Sequence, residues 1–177
     1  DGGYHAVLKV DNNEEKELDF ASYTPKEIDG VEWDIDCSFI NNGRYVKTTY
    51  SLTNKTSEAK NISLGVYADV QIAGNDRATI ERFENSNGLR LYDTRTNIQF
   101  SFYGKSVAGT TNIDNLWIGT YPDHEDNYFS NNDTQTIENR DSAFTYSWMN
   151  KTLGAGVTNR YSTIIGMGEV SNAPKIE

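Results

Sequence analysis

The stretch Tyr67-Ala68-Asp69-Val70-Gln71-Ile72 alternates polar and apolar side chains, and Gly74-Asn75-Asp76-Arg77 then breaks the alternation. Alternation by two along a strand sets Tyr67, Asp69 and Gln71 on one face. With Asn75, Asp76 and Arg77 they supply what binds a sugar: a ring for the apolar face of a pyranose, and carboxylate, amide and guanidinium groups for its hydroxyls. The plain alternative is a polar outer sheet face, with Asp69 solvated and Asp76 capping the turn after Gly74-Asn75.

A second set lies in Pro122-Asp123-His124-Glu125-Asp126-Asn127. Asp123, Glu125 and Asp126 offer the hard oxygens that calcium takes, although their spacing matches no defined calcium loop. A solvated acidic loop accounts for them equally. Asp69 with Asn75 and Asp76 makes another oxygen set of the same kind. A third feature is the run Glu32, Asp34, Asp36, three carboxylates on one strand face roughly 6.5–7 Å apart. Such like charges must be exposed, be occupied by a cation, or be matched by Lys or Arg across the strand, the simplest solution.

Catalytic signatures are missing. His5, His124 and Cys37 are too few and too scattered for a zinc tetrad, and the zinc-protease pattern HExxH does not occur. The nucleophile turn G-x-S-x-G is absent, and Gly104-Lys105-Ser106 lacks the upstream glycine of a phosphate-binding loop. Paired carboxylates can hydrolyse glycosides, but with 26 acids some pair is inevitable and singles out none. The chain therefore reads as non-catalytic, with no cofactor other than calcium in prospect.

The elements that must carry these residues are strands. HAVLKV sets Ala6, Leu8 and Val10 to one side, and VEWDIDCSFI turns Val31, Trp33, Ile35, Cys37 and Phe39 inward. That parity makes Cys37 an inert buried thiol. YVKTTYSL turns Val46, Thr48, Tyr50 and Leu52 inward, and LGVYADVQI does the same with Leu64 through Ile72. GLRLY, IQFSF, NLWIGTY, AFTYSWMN and RYSTIIGM follow, and Phe144, Tyr146 and Trp148 should line a single face. Asn41-Asn42-Gly43 and Ser86-Asn87-Gly88 predict hairpins, and Gly154-Ala155-Gly156 a corner. The polar stretch from Pro122 to about Arg140 reads as a surface loop with a short helix, or as the most functional part of the domain. EEKELDF suits a short helix or a strand edge. The expectation is an all-β fold with little helix: a single large antiparallel β-sandwich, supersandwich or Ig-like, over residues 1–170, with 171–177 (SNAPKIE) as a linker to a following module.

Composition limits the partners. The formal charge is −10, and residues 1–36 hold eleven acids against Lys9, Lys16 and Lys26. Such a surface repels phosphate backbones, so nucleic acid is not expected as a partner. No long apolar run suggests membrane insertion. A lone cysteine permits no disulfide within the domain, and a chain of 177 residues has core enough to do without one. Sequons at Asn54, Asn61, Asn132 and Asn150 are about as many as chance yields from this composition.

Three pieces carry a resemblance: YADVQIAGND (67–76), NIDNLWIGTYPD (112–123), and DSAFTYSWMN followed by YSTIIGMGEV. Over about residues 45–170 the chain resembles a β-sandwich module of large surface or secreted proteins of anaerobic protists, trichomonads among them. Asp141-Ser142-Ala143-Phe144 departs from that pattern by lacking a glycine after the serine. The resemblance implies an extracellular or cell-surface sandwich among further modules of the same chain, and it implies no catalytic residues. The expected function is adhesion or glycan recognition, with glycans or a host or cell-surface protein as partner. A structural spacer domain is the first alternative. An accessory or catalytic domain of a glycan-active enzyme is the second, and it requires facing carboxylates with at least one raised pKa.

Overall fold

The computed structural model describes residues 3–21 and 26–167. The linker expected at 171–177, and residues 168–170 at the end of the expected domain, lie outside them. The strands are β1 (Tyr4–Val10), β2 (Lys16–Glu17), β3 (Glu27–Ile28), β4 (Val31–Ile40), β5 (Tyr45–Asn54), β6 (Lys60–Asp69), β7 (Thr79–Arg82), β8 (Gly88–Asp93), β9 (Ile98–Tyr103), β10 (Asn115–Thr120), β11 (Thr136–Ile137), β12 (Ser142–Leu153) and β13 (Thr158–Met167). They form two antiparallel sheets, a five-stranded one ordered β10-β12-β6-β1-β2 and an eight-stranded one ordered β11-β7-β8-β9-β13-β5-β4-β3. The fold is all-β, and among the described residues the one helical turn is the 3-10 turn Tyr121–Asp123. EEKELDF supplies β2, a strand edge rather than a helix.

The alternation seen in the sequence builds the core between the sheets. Ala6, Leu8, Val10, Leu64, Val66, Phe144 and Trp148 from one sheet meet Val31, Trp33, Tyr50, Leu52, Leu89 and Phe102 from the other in one apolar cluster. Phe144, Tyr146 and Trp148 share the inward face, with ring centroids 6.1 and 5.7 Å apart along the strand. Truncating a fully buried ring such as Trp148 to alanine costs about 3–5 kcal/mol. The 41–44 turn joins β4 to β5, with Asn41, Asn42 and Gly43 all at positive φ, as a tight hairpin requires. The turn at Gly154 instead carries the chain from β12 in one sheet to β13 in the other.

Two expectations for β4 need correction. Cys37 and Phe39 lie on the inward face, as parity predicts, but Cys37 is exposed and Phe39 is 77% exposed. Parity decides which way a side chain faces, not whether anything covers it. At this end the two sheets diverge, and an apolar cleft of about 360 Å³ opens between them, lined by Ile35, Cys37, Ala68, Phe102, Phe144 and Ile165 among others. The carboxylate stripe also behaves differently from expectation. Glu32, Asp34 and Asp36 face Thr53, Ser51 and Thr49 of β5 and not lysine or arginine. All three are exposed, so water screens their repulsion, and none has an ion-pair partner among the described residues.

The 121–135 segment is the fold's main departure from plain strands. It leaves β10 and runs over the outer face of the five-stranded sheet. Arg82, only 8% exposed, anchors it by donating to the carbonyls of Asn132 (3.0 Å), Thr134 (3.0 Å) and Leu116 (3.4 Å). Asn131 Oδ1 accepts from the Leu116 amide, and Asn132 both donates to the Ile118 carbonyl and accepts from its amide. Side-chain amides thus pair with the outer edge of β10 as a further strand would, which protects an exposed edge. Asn132 Nδ2 is therefore engaged, and Asn54, fully buried, uses its Nδ2 on the Glu58 and Leu153 carbonyls. Neither of these sequon nitrogens is free for glycosylation in the folded domain.

Candidate functional site

Tyr67 lies on the outer face of β6, as the alternation predicts, but it is fully buried and forms no exposed platform. The segment after β10 covers it. The His124 ring stacks on it at 3.8 Å between centroids, and Tyr121 and Tyr128 meet it edge-on at 6.2 and 6.5 Å. On its neighbouring strand His5, paired with Tyr67 across the β1–β6 register, stacks at 5.7 Å. Gly65 makes this cover possible. A Cβ there would come within 3.1 Å of Tyr128 and Phe129, so a side chain would push the segment off the sheet.

His124 is locked in place. Its Nδ1 bonds the Tyr121 carbonyl, which can only accept, so Nδ1 carries the proton. The two histidines, far apart in sequence, thus meet on one ring. Nothing local in the sequence signals this, because the β1–β6 register brings in His5 and a loop brings in His124. His5 Nδ1 in turn lies 2.7 Å from Glu17 on β2.

Beyond the Tyr67 ring, at the end of β6, four chain segments converge. Gly3 enters β1 and its carbonyl accepts from the Asp69 amide (2.9 Å), while Asp141 precedes β12 and its carbonyl accepts from the Tyr121 amide (2.9 Å). Asp69, Gln71, Asp76, Tyr121 and Asp141, with Gly3, line a cleft of about 420 Å³. Sequence reasoning reached Asp69, Gln71 and Asp76. It missed Tyr121 and Asp141, which only the register of β12 against β6 and the end of β10 bring to the same place.

The cleft is electrostatically unbalanced. Burial raises the Asp69 carboxyl above its ordinary value, and the charges of Asp141 and Asp76 push it further in the same direction. The Val70 amide and the nearby His124 offset this only in part. Asp69 Oδ1 is buried and has no hydrogen-bond partner, and neither does the buried Tyr67 hydroxyl. The Tyr67 hydroxyl is held well above its ordinary value, first by burial and then by the charge of Asp69. Among the described residues no lysine or arginine lines the cleft, and none pairs with Asp69, Asp76 or Asp141.

The remaining expected site residues divide between fold and surface. Ala73 and Gly74, both at positive φ, make the tight turn that closes Ile72 on Asn75. Asn75, and not Asp76, caps it: Asn75 Oδ1 accepts from the Arg77 amide, and its Nδ2 donates to Asp93 Oδ1 (3.0 and 2.9 Å). Asn75 follows the two turn residues directly, so its side chain reaches forward, whereas Asp76 is turned back to accept from Gln71. Arg77 is exposed and does not line the cleft. Asp123, Glu125 and Asp126 are exposed along the 121–127 segment, and Asp123 Oδ2 accepts from the Thr120 hydroxyl (2.7 Å). Among the described residues no three His, Cys, Asp or Glu side chains converge as a metal site, and no helix is long and apolar enough to cross a membrane.

No family model matches the chain, and no curated protein matches it. Among solved structures it is similar to a galactose mutarotase related enzyme from Lactobacillus acidophilus, at 9% identity and a TM-score of 0.47, over 98% of this chain and 71% of that one. At that identity and score the likeness assigns no role to any residue.

Proposed function

We propose that this domain is a non-catalytic module displayed at a cell surface, and that it recognises glycans through the cleft at the Asp69 end of the five-stranded sheet. One observation carries the reading: a ligand-sized cleft in which Asp69, Gln71, Asp76 and Asp141 converge beside the Tyr121 ring. Its volume falls within the range of about 300–1,000 Å³ common to small-ligand sites. Carboxylates and an amide suit vicinal hydroxyls, and a half-buried ring suits the apolar face of a sugar. Tyr121 thereby takes the part that the sequence assigned to Tyr67. The surface location rests on the resemblance to protist surface modules, and the partner is a glycan of a host or a neighbouring cell.

A glycan array with the purified domain tests this, run with calcium and with chelator. Binding that Asp141→Asn abolishes supports the cleft. Loss in chelator would add a calcium-dependent contribution from Asp123, Glu125 and Asp126. A blank array in both buffers leaves a spacer or protein-adhesion role as the better account.

A second reading has one observation in its favour. Asp69, raised by burial and by Asp141 across the cleft, is the kind of carboxyl that serves as a general acid. Hydrolysis of chromogenic glycosides by the wild type, lost in Asp69→Asn, would establish it. Failure to turn over any of a broad panel leaves the binding reading in place.

A further inference from the structure

Resting on the glycan reading, the electrostatics of the cleft narrow the ligand to one chemical class. We infer that the cleft takes a protonated amine, so that its sugar is an amino sugar with a free ammonium group in preference to a neutral, N-acetylated or uronic acid sugar.

Three carboxylates, Asp69, Asp76 and Asp141, line one cleft, and among the described residues no lysine or arginine lines it with them. Asp69 is half-buried while Asp76 and Asp141 are exposed, and like charges gathered at one cleft repel, so that each ionised carboxylate makes the next harder to ionise. A fold normally answers such a cluster with a cation. Exposed Arg77 and Arg140 adjoin Asp76 and Asp141 in the chain, yet neither lines the cleft, and neither forms an ion pair with these acids. Gln71 donates to Asp76, a neutral contact that leaves its charge in place.

Two further atoms point the same way independently of the charge count. Tyr67, fully buried behind the cleft, has a hydroxyl that feels the charges of Asp69 and Asp141 and makes no hydrogen bond, and Asp69 Oδ1 is buried and unbonded as well. An unbonded acceptor of this kind is costly unless a donor completes it. An ammonium brings three donors and a full positive charge, whereas a sugar hydroxyl brings one donor and none. Tyr121, at the wall of the cleft, adds an aromatic ring, a group that attracts cations. A metal ion is the less suitable cation, since no three of these ligands converge as a metal site.

Calorimetric titration separates the possibilities, with glucosamine oligomers, the matching N-acetylglucosamine oligomers and cello-oligosaccharides as probes. At about pH 6 the amine is protonated. The glucosamine oligomers should bind about tenfold tighter than the other two, a difference of about 1.4 kcal/mol. Asp141→Asn and Asp69→Asn should each remove that preference. Asp36→Asn, on the exposed stripe of the eight-stranded sheet, should leave it unchanged. Equal or better binding of the neutral oligomers overturns the inference and spares the glycan reading. An equal loss in Asp36→Asn reduces the preference to diffuse attraction and overturns it too. No binding of any oligomer, here or on the array, removes the glycan reading itself.

Discussion

Asp69 and Asp93 are both shielded carboxylates near the ends of strands, and the 72–77 turn links them, yet their surroundings are opposite. Asp93, fully buried, accepts from the Asn75 amide (2.9 Å), the Thr96 hydroxyl (2.7 Å), and both the side chain and the backbone of Arg95 (3.2 and 3.3 Å). Burial alone would raise its pKa. The bonds from Thr96, Asn75 and Arg95 outweigh it and hold the carboxyl well below the usual carboxylate range. Asp69 has an unbonded oxygen and two carboxylates for company, so its burial is only partly offset and its pKa is raised. The donors arranged around a carboxylate, more than its depth, separate one that holds the fold from one that is left for a ligand.

The largest expected effect is on stability. Asp93→Ala leaves the Asn75 amide and the Thr96 hydroxyl without their acceptor and frees the turn that shapes the cleft. It should lower the Tm by about 5–10 °C in a calorimetric scan. Asp69→Asn should shift the Tm by less than about 2 °C, or raise it, because it removes a destabilised charge. Equal losses from the two substitutions would break the comparison.

The pH dependence should differ in sign between the two sites. The Asp93 pKa is lower folded than unfolded, so its contribution is present above the unfolded value of about 3.9 and is lost as pH falls toward the lowered folded value. The Asp69 pKa is higher folded than unfolded, so its contribution is present below about pH 3.9 and is lost as pH rises through the raised folded value. Asp141, Asp76 and His124 face Asp69 and share in that transition. Denaturant titrations of each Asp→Asn variant against the wild type, repeated across pH, read both curves. Slopes of one sign for both sites would contradict the assignment.

Ligand affinity distinguishes the sites next. Asp69→Asn should weaken glycan binding about tenfold or more without loss of structure, which array intensity beside a far-ultraviolet spectrum reads directly. The smallest effect belongs to Tyr67→Phe. Removing a buried hydroxyl that bonds to nothing should change stability by less than about 1 kcal/mol. A loss of about 2 kcal/mol or more in that variant would mean the hydroxyl has a bonding partner after all.

The strand pattern was legible because a side chain's direction depends only on its place in the alternation. Phe144, Tyr146 and Trp148 illustrate this, as does the 41–44 hairpin, which needs only local residues able to take positive φ. Part of the cleft was legible for the same reason, since Asp69 closes β6 and Gln71 continues its alternation just beyond the strand. Coverage was not legible. Tyr67 reads as outward and is buried under His124, while Cys37 and Phe39 read as inward and are exposed where the sheets diverge. Nor was register legible, and it is register that brings Asp141 to Asp69 and His5 to Tyr67.

By itself the sequence determined an all-β chain, an inward apolar face for each long strand, and an excess of acidic over basic side chains. These follow from local geometry and from composition, both of which act within a few residues or over the whole chain without regard to partners. The tertiary structure alone decided which outward ring is roofed, which inward thiol is bare, and which of many carboxylates meet without a counter-charge. Those outcomes depend on contacts between residues tens of positions apart, and the free energy of such contacts exists only once the chain has closed on itself.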